Sequence, residues 1–367
     1  MKYTPPLQNI PTDIVCLDDY QRYAKEFLAH DIYEYIAAGT ADEQTLNRNR
    51  SAFADIELTP RLLRDFSSGS TQISLLGHNL AHPFLLAPLG YQQLCHASGE
   101  LATAMAADAM DTAIVVSTLA TASLEDIAAQ TNAPKWFQLY FQARREDTLS
   151  LVTRAEAAGY TAIVLTIDAP LSGLRNRAQR AGFYLPPEIQ AVNIPASAEF
   201  SQAGAPGVNP ILQQLMALAP QWQDLHWLKQ HTKLPIIIKG VINPNDAKRI
   251  ADMGMDGIIV SNHGGRCLDG LPASIDALPA IRQALGDGFP LLLDSGIRRG
   301  SDILKAIALG ANAVLIGRPQ AFSLAVAGAL GVAHMLRLLK EELEITMALC
   351  GCPQITDIDR NCLFSTG

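Results

Sequence analysis

Eight short apolar runs, separated by amphipathic stretches, limit this chain to very few folds. The runs are Phe84–Ala87, Ala113–Val116, Trp136–Leu139, Ala162–Leu165, Pro235–Ile238, Gly257–Val260, Pro290–Leu293 and Ala313–Ile316. Each is about four residues long, too short for a buried helix and right for a strand buried on both faces. Between them lie Leu101–Met110, Leu124–Gln130, Thr148–Ala158, Asp246–Asp252 and Asp302–Leu309, which read as amphipathic helices. Strand and helix in alternation predict parallel pairing, and eight such units predict an α/β fold, a closed (β/α)8 TIM barrel. An open doubly wound sheet is the competing architecture. It requires a glycine-rich fingerprint after the first strand, and Ala87-Pro88-Leu89-Gly90-Tyr91 is not one. The 367 residues, 49% of them hydrophobic, supply a large core, and a barrel uses such a length as one domain.

The remaining chain divides around the barrel. Residues 1–81 read as an N-terminal cap, 82–352 as the barrel and 353–367 as a C-terminal tail of the same domain. In the cap, residues 12–35 carry Tyr20, Tyr23, Phe27, Leu28 and Ile32 at helical spacing. Asp42–Phe53 reads as a second helix capped by Asp42 or Thr40, and a small hairpin precedes Ala81. One gap breaks the rhythm: residues 170–222 form an insertion after the fourth strand, and its Leu185–Pro210 piece is rich in Pro, Ala and Gln with little periodicity. Loops of that length are lids or disordered segments, and this one would overhang the C-terminal face of the barrel.

Charge and cysteine usage exclude several partners. The net charge is −8 and no basic block occurs, which argues against nucleic acid. No apolar run approaches the roughly 18 residues that span a membrane. Met1–Pro6 lacks the apolar core of a signal peptide. The six cysteines form no paired CxxC motif, so no metal site is expected and a reduced, cytoplasmic protein is. Cys350-Gly351-Cys352 reads as two buried thiols near a helix end rather than a redox pair.

Chemistry in a barrel sits where the strands end. The sixth run leads into Ser261-Asn262-His263-Gly264-Gly265-Arg266-Cys267-Leu268-Asp269-Gly270. Two glycines allow a tight turn there. A histidine that titrates near neutrality and an arginine that grips carboxylates bidentately sit three apart on it, a combination suited to taking a proton from an anionic substrate. The third run ends Gln138-Leu139-Tyr140, the fourth Thr166-Ile167-Asp168 and the fifth Lys239-Gly240. Lys239 follows three isoleucines and needs an anion, a cofactor or an aspartate to face. Asp168 can orient His263 and favour its charged form. The seventh and eighth runs end in Asp294-Ser295-Gly296-Ile297-Arg298-Arg299-Gly300 and Gly317-Arg318-Pro319, where exposed amides and arginines point to a phosphorylated cofactor or substrate.

On these motifs the chain resembles the FMN-dependent L-2-hydroxy acid oxidase and dehydrogenase family, the group of glycolate and lactate oxidases and mandelate dehydrogenase. The resemblance runs from Tyr33-Glu34-Tyr35 to Cys352 and is most specific over Ser261–Gly270. It implies oxidation of an L-2-hydroxy acid to the 2-keto acid, with O2 as acceptor and H2O2 as product, or a quinone or other acceptor in a dehydrogenase. It implies FMN as cofactor and a homotetramer. His263 would be the catalytic base, with Asp168 its partner. Arg175 and Arg266, with Tyr35, would bind the substrate carboxylate, and Tyr140 the substrate hydroxyl. The flavin ring would meet Ala87, Pro88, Leu89, Gly90, Ser117, Gln138, Thr166 and Lys239. Its ribityl and phosphate would meet Ser261, Asp294, Gly296, Arg298, Gly317 and Arg318. Against the family pattern, Cys267 stands for a glutamine, Ser295 for a common glycine, Leu119 where aromatics are frequent, and Gly90 where many oxidases carry alanine.

Two other functions fit fewer of these residues. A Schiff-base lyase with Lys239 as nucleophile explains the lysine and the phosphate site but not the two arginines and His263. A non-catalytic ligand-binding barrel leaves the acid–base groups unused.

Overall fold

All eight apolar runs are strands in the computed structural model, which describes residues 3–194, 209–216 and 219–364. A two-stranded antiparallel hairpin, β1 (Ile73–Leu75) and β2 (His78–Leu80), precedes them. The barrel strands are β3 (Phe84–Leu86), β4 (Ile114–Ser117), β5 (Lys135–Leu139), β6 (Ile163–Thr166), β7 (Ile236–Val241), β8 (Gly257–Val260), β9 (Leu291–Leu293) and β10 (Ala313–Ile316). Every neighbouring pair is parallel, and β10 pairs with β3 to close the ring. The fold is the expected (β/α)8 barrel. Successive strand residues point to opposite faces. Leu85, Val115, Trp136, Val164, Ile237, Ile259, Leu292 and Leu315 therefore share one buried cluster inside the barrel, while Phe84, Leu86, Ile163, Ile238 and Ile258 join the outer core beneath the helices.

The cap differs from its sequence reading in two places. The expected helix over residues 12–35 is two: α1 (Leu17–Phe27) and α2 (His30–Ala37), separated by extended Leu28. The break lets the two helices address different partners. Tyr20 of α1 hydrogen-bonds His334 at 2.9 Å, whereas Tyr33 of α2 stacks on Phe322 at 5.8 Å. Both halves keep apolar residues at helical spacing, so periodicity conceals the join. The next helix, α3 (Gln44–Ala54), is capped by neither Asp42 nor Thr40. Glu43 occupies the cap position in a left-handed conformation, and the free amides of Asp42, Gln44 and Thr45 donate to the Asp269 carboxylate at 3.1, 3.2 and 2.8 Å. A cap from more than two hundred residues away leaves no local signal.

The helices that cover the barrel include α4 (Gly99–Ala109), α5 (Leu124–Ala128) and α6 (Arg145–Ala157). The insertion contributes a short helix, α7 (Asn176–Arg180); its expected loop lies largely outside the described residues. Then come α8 (Trp222–His231), α9 (Pro244–Asp252), α10 (Ser274–Leu285), α11 (Gly300–Ala308) and α12 (Arg318–Cys350). The last is long and apolar enough to cross a membrane by length and composition, which no single apolar run in the sequence suggested. It is a core element: its apolar window is 67% buried, and a non-helical Ala327–Gly328 step breaks it. It packs against α1, α4 and α11.

Candidate active site

Strand alternation builds the site. Two residues past the inner apolar layer, the next inward-facing positions are Ala87, Ser117, Gln138, Thr166, Lys239, Ser261, Asp294 and Gly317. This ring crowns the C-terminal mouth. Its polar members link strand to strand. Ser117 Oγ donates to Gln138 Oε1 at 3.1 Å, and Lys239 Nζ donates to Ser261 Oγ at 2.8 Å and pairs with Asp294 Oδ2 at 3.1 Å. Lys239 is 4% exposed. Burial works against its charge, but the Asp294 and Asp168 carboxylates win and hold its pKa above the ordinary lysine value. A lysine kept protonated is a poor nucleophile, which counts against a Schiff-base lyase.

Above the ring lies a cleft open to solvent. Tyr35, Pro88, Leu89, Gly90, Tyr140, Arg175, His263, Arg266, Gly296, Arg298 and Arg318 all line it, with Ala87, Ser117, Lys239, Asp294 and Gly317 of the ring. Gln138, Thr166, Ser261 and Asp168 sit just behind this surface, each packed against a lining residue or its strand.

His263 stands on a strained turn. His263, Gly264 and Gly265 all have positive φ, at 56°, 63° and 70°. A Cβ on Gly265 would lie 2.6 Å from the Leu46 amide nitrogen, so that position accepts only glycine. The turn is pinned by hydrogen bonds from the His263 amide to Ser261 Oγ and from the Gly264 amide to Ser295 Oγ, both 3.0 Å. Ser295, which stands where a glycine is common, thus holds the signature loop with its hydroxyl.

The imidazole Nδ1 lies 2.9 Å from Asp168 Oδ1. A carboxylate accepts, so Nδ1 carries a hydrogen and Nε2 is the atom left to gain or lose a proton. Burial disfavours the charged ring, but Asp168 outweighs it and raises the His263 pKa to about 9. Asp168, despite its own burial, is held below the usual carboxylate range by His263 and Lys239. Gly240 makes the approach possible: a Cβ there would lie 2.4 Å from Asp168 Cγ. Burial pushes the Tyr140 phenol up, so it stays a neutral donor.

Four arginines form two cationic groups. Arg175 and Arg266 each approach the Tyr35 ring, with guanidinium carbons 5.2 Å from its centre. Arg266 Nη1 donates to the Tyr35, Ile36 and Ala38 carbonyls at 2.9, 3.1 and 3.2 Å, leaving Nε and Nη2 for the cleft. Arg318 donates to Ile36, Gly264 and Ala38 carbonyls from all three nitrogens, with two N–H groups to spare. The negative end of α2 is thus gripped by two guanidiniums. Burial, then the neighbouring Arg175, lowers the Arg266 pKa to about 10; burial and Arg50 do the same to Arg298, and burial with Arg266 lowers Arg318. Guanidiniums so placed call for two anions, one at each group.

Sequence reasoning missed how Arg175 is held. Arg177, two residues on, pairs with Glu34 at 2.6 Å and Glu43 at 3.3 Å, and Phe183 stacks on Tyr35 at 4.0 Å. The acidic residues were visible, but their partner lay in an aperiodic insertion.

The same geometry tests an FMN cofactor. Gln138 Nε2 and Thr166 Oγ1 are buried at the mouth without a hydrogen-bond partner, as expected of groups that meet a polar heteroaromatic edge. Arg298 and Arg318 flank the small residues Gly296 and Gly317, as a phosphate requires. These residues fit the group. Residues 24–365 match the model of the FMN-dependent dehydrogenase family. The chain belongs to that family. FMN is the cofactor of this FMN-dependent dehydrogenase. It is 48% identical over 359 residues to an L-lactate oxidase of Alicycliphilus denitrificans, covering 98% of each chain. To 2-hydroxyacid oxidase 1 of Homo sapiens it is 40% identical over 353 residues, covering 95% of each. A crystal structure of mandelate oxidase with (S)-2-phenylpropionate superposes at a TM-score of 0.86 with 40% identity, over 95% of this chain and 98% of that one.

Proposed function

Within the FMN-dependent oxidation of 2-hydroxy acids, we propose that this enzyme takes a small L-2-hydroxy acid, L-lactate foremost, to its 2-keto acid and passes the electrons to O2, releasing H2O2. The observation that carries the reading is one cleft in which a carboxylate-held histidine faces two arginines with unused donors. The likeness to relatives named L-lactate oxidase supports the choice of substrate and acceptor.

Arg175 and Arg266 grip the substrate carboxylate, and their guanidiniums, fixed around Tyr35, orient the α-carbon. Tyr140 donates to the substrate hydroxyl. His263 takes one proton at Nε2, and Asp168 stabilises the imidazolium that results. Arg298 and Arg318 hold the cofactor phosphate with the amides of Gly296 and Gly317, and Ser261 and Asp294 hold its ribityl chain. Ala87, Pro88, Leu89, Gly90, Ser117, Gln138 and Thr166 hold the ring, and Lys239 sets a fixed positive charge beside it. The bound flavin supplies the two-electron acceptance that no side chain offers.

The test is oxygen uptake and peroxide release by the purified yellow protein with L-lactate, glycolate and (S)-mandelate, D-lactate serving as control. Flavin reduction by L-lactate without oxygen uptake would assign another acceptor. No reduction by any L-2-hydroxy acid would end the reading.

A further inference from the structure

The sequence raised Cys350-Gly351-Cys352 as a pair, but the fold gives Cys352 a different neighbour. Its Sγ lies 3.5 Å from Cys362 Sγ, while Cys350 offers only its carbonyl, at 3.8 Å. Both sulfurs are fully buried between the end of α12 and a short turn at Arg360–Cys362. A guanidinium covers them: Arg61 Nη2 lies 3.0 Å from Cys362 Sγ and 3.7 Å from Cys352 Sγ. Arg61 also pairs with Asp359 at 3.5 Å. Two thiols in contact under one cation are more than core filling. Apolar packing needs no charge beside it, and a guanidinium next to sulfur favours the thiolate, the reactive form.

We propose that Cys352 and Cys362 are a peroxide-oxidisable pair that closes to a disulfide, tying the segment that ends the described chain to the end of α12. Cys362, nearer Arg61, is the attacking sulfur. Its thiolate displaces hydroxide from the O–O bond of hydrogen peroxide, giving a sulfenic acid, and the hydroxide leaves as water with the thiol proton. Cys352, whose thiol pKa burial and its neighbour push up to about 12, acts second. Its sulfur attacks the sulfenic sulfur, the S–S bond forms, and the departing oxygen leaves as water with the second thiol proton. Two thiols are oxidised by two electrons, and one peroxide becomes two waters. The oxidant that the proposed oxidase reaction releases is of this class, but the test below uses added peroxide and is independent of that reading. Burial sets the rate: the turn is held by the Thr59 amide on the Cys362 carbonyl at 2.8 Å and by pairing of Leu58 with Leu363, so it must open first.

The full-length, flavin-loaded protein is treated with excess hydrogen peroxide, quenched with catalase, denatured in an alkylating reagent and mapped by peptide mass spectrometry. Two of the six thiols should be lost, in a pair of peptides joined at Cys352 and Cys362 and lighter by two hydrogens. Dithiothreitol should restore both. Cys352→Ser should leave Cys362 as a sulfenic acid that dimedone traps, and Cys362→Ser should leave Cys352 alkylatable. Arg61→Met should slow crosslinking by about tenfold or more, because it removes the cation 3.0 Å from the attacking sulfur. Should a serine variant fail to fold, the wild-type map and the Arg61→Met rate decide. The proposal is overturned if Cys352 and Cys362 both stay alkylatable while partly exposed Cys267 oxidises, or if Cys350 forms the bridge.

Discussion

Replacing Asp168 by asparagine isolates the electrostatic part of the proposed base. Asparagine can still accept from His263 Nδ1, so the ring keeps its tautomer and loses the negative charge. That charge lifts the His263 pKa from an ordinary 6.5 to about 9 against the effect of burial. The lift corresponds to about 3 kcal/mol in favour of the imidazolium. Without it, burial and Lys239 both act downward, and the midpoint should fall to 6.5 or lower. The sign has an unusual consequence. Above pH 9 both enzymes present a neutral base, and the variant lacks help for the imidazolium forming at Nε2; its kcat/KM should drop by up to about 10²-fold. Near pH 7 only about one wild-type molecule in a hundred has a free base, whereas most of the variant does, so the deficit should shrink to a few-fold. The assay is anaerobic stopped-flow reduction of the bound flavin from pH 5.5 to 10. The wild-type rate should rise with pH toward about 9, and that limb should move down by more than two units in the variant. A pH-independent loss, or one limb shared by both enzymes, would refute the electrostatic reasoning.

Other perturbations address the remaining groups. Arg175→Met and Arg266→Met should each lower kcat/KM at least about tenfold, a charged hydrogen bond contributing about 1.5–3 kcal/mol, and the double variant should be non-additive; strict additivity would mean that they do not share one carboxylate. Arg177→Met should raise KM about fivefold with kcat little changed, because it only positions Arg175, and Arg177→Lys should recover most of the loss; a fall in kcat alone would contradict this. Arg298→Met should weaken FMN binding about ten- to a hundredfold, read from the fluorescence of released flavin, and an unchanged Kd would move the phosphate elsewhere. Gly90→Ala sets a Cβ 2.7 Å from Leu119 Cβ and should cost about 1–3 kcal/mol in thermal unfolding, a cost relieved in a Leu119→Gly background, where the clashing Cβ is gone.

The barrel was legible because its signal is local. Short runs of about four mostly apolar residues, repeated eight times with helical spacing between, leave few alternatives, and the strands fall where those runs are. The ring at the mouth follows from period two alone: once Ile237 faces inward, so does Lys239. The gathering of polar groups at the strand ends was legible for the same reason. What stayed hidden depends on distant partners. Nothing near Glu43 announces that Asp269 caps α3, and nothing near Leu28 announces that α1 and α2 diverge toward His334 and Phe322. Arg318 illustrates the limit most clearly. Its neighbours Gly317 and Pro319 suggest a phosphate loop, yet three of its donors hold carbonyls of α2 and the signature turn.

Those long-range contacts explain why the signature spans ten residues when two side chains face the proposed chemistry. A positive φ at His263 is costly for a residue with a Cβ, and it persists only where surrounding contacts over-determine it. Asn262 supplies one such contact. Its side chain exchanges two hydrogen bonds with Asn49 of α3, at 2.8 and 2.7 Å, and accepts the Gly265 amide at 3.2 Å. Asp269 fixes the start of α3, and Arg266 and Arg318 fix the end of α2. Ser295 closes the turn from the neighbouring strand. The cap is therefore the other half of the loop that aims His263 at the cleft, and the histidine's strain is balanced by bonds into α2 and α3. Substitutions at Asn49 or Asn262, neither of which lines the cleft, should on this argument disturb proton transfer more than they disturb flavin binding.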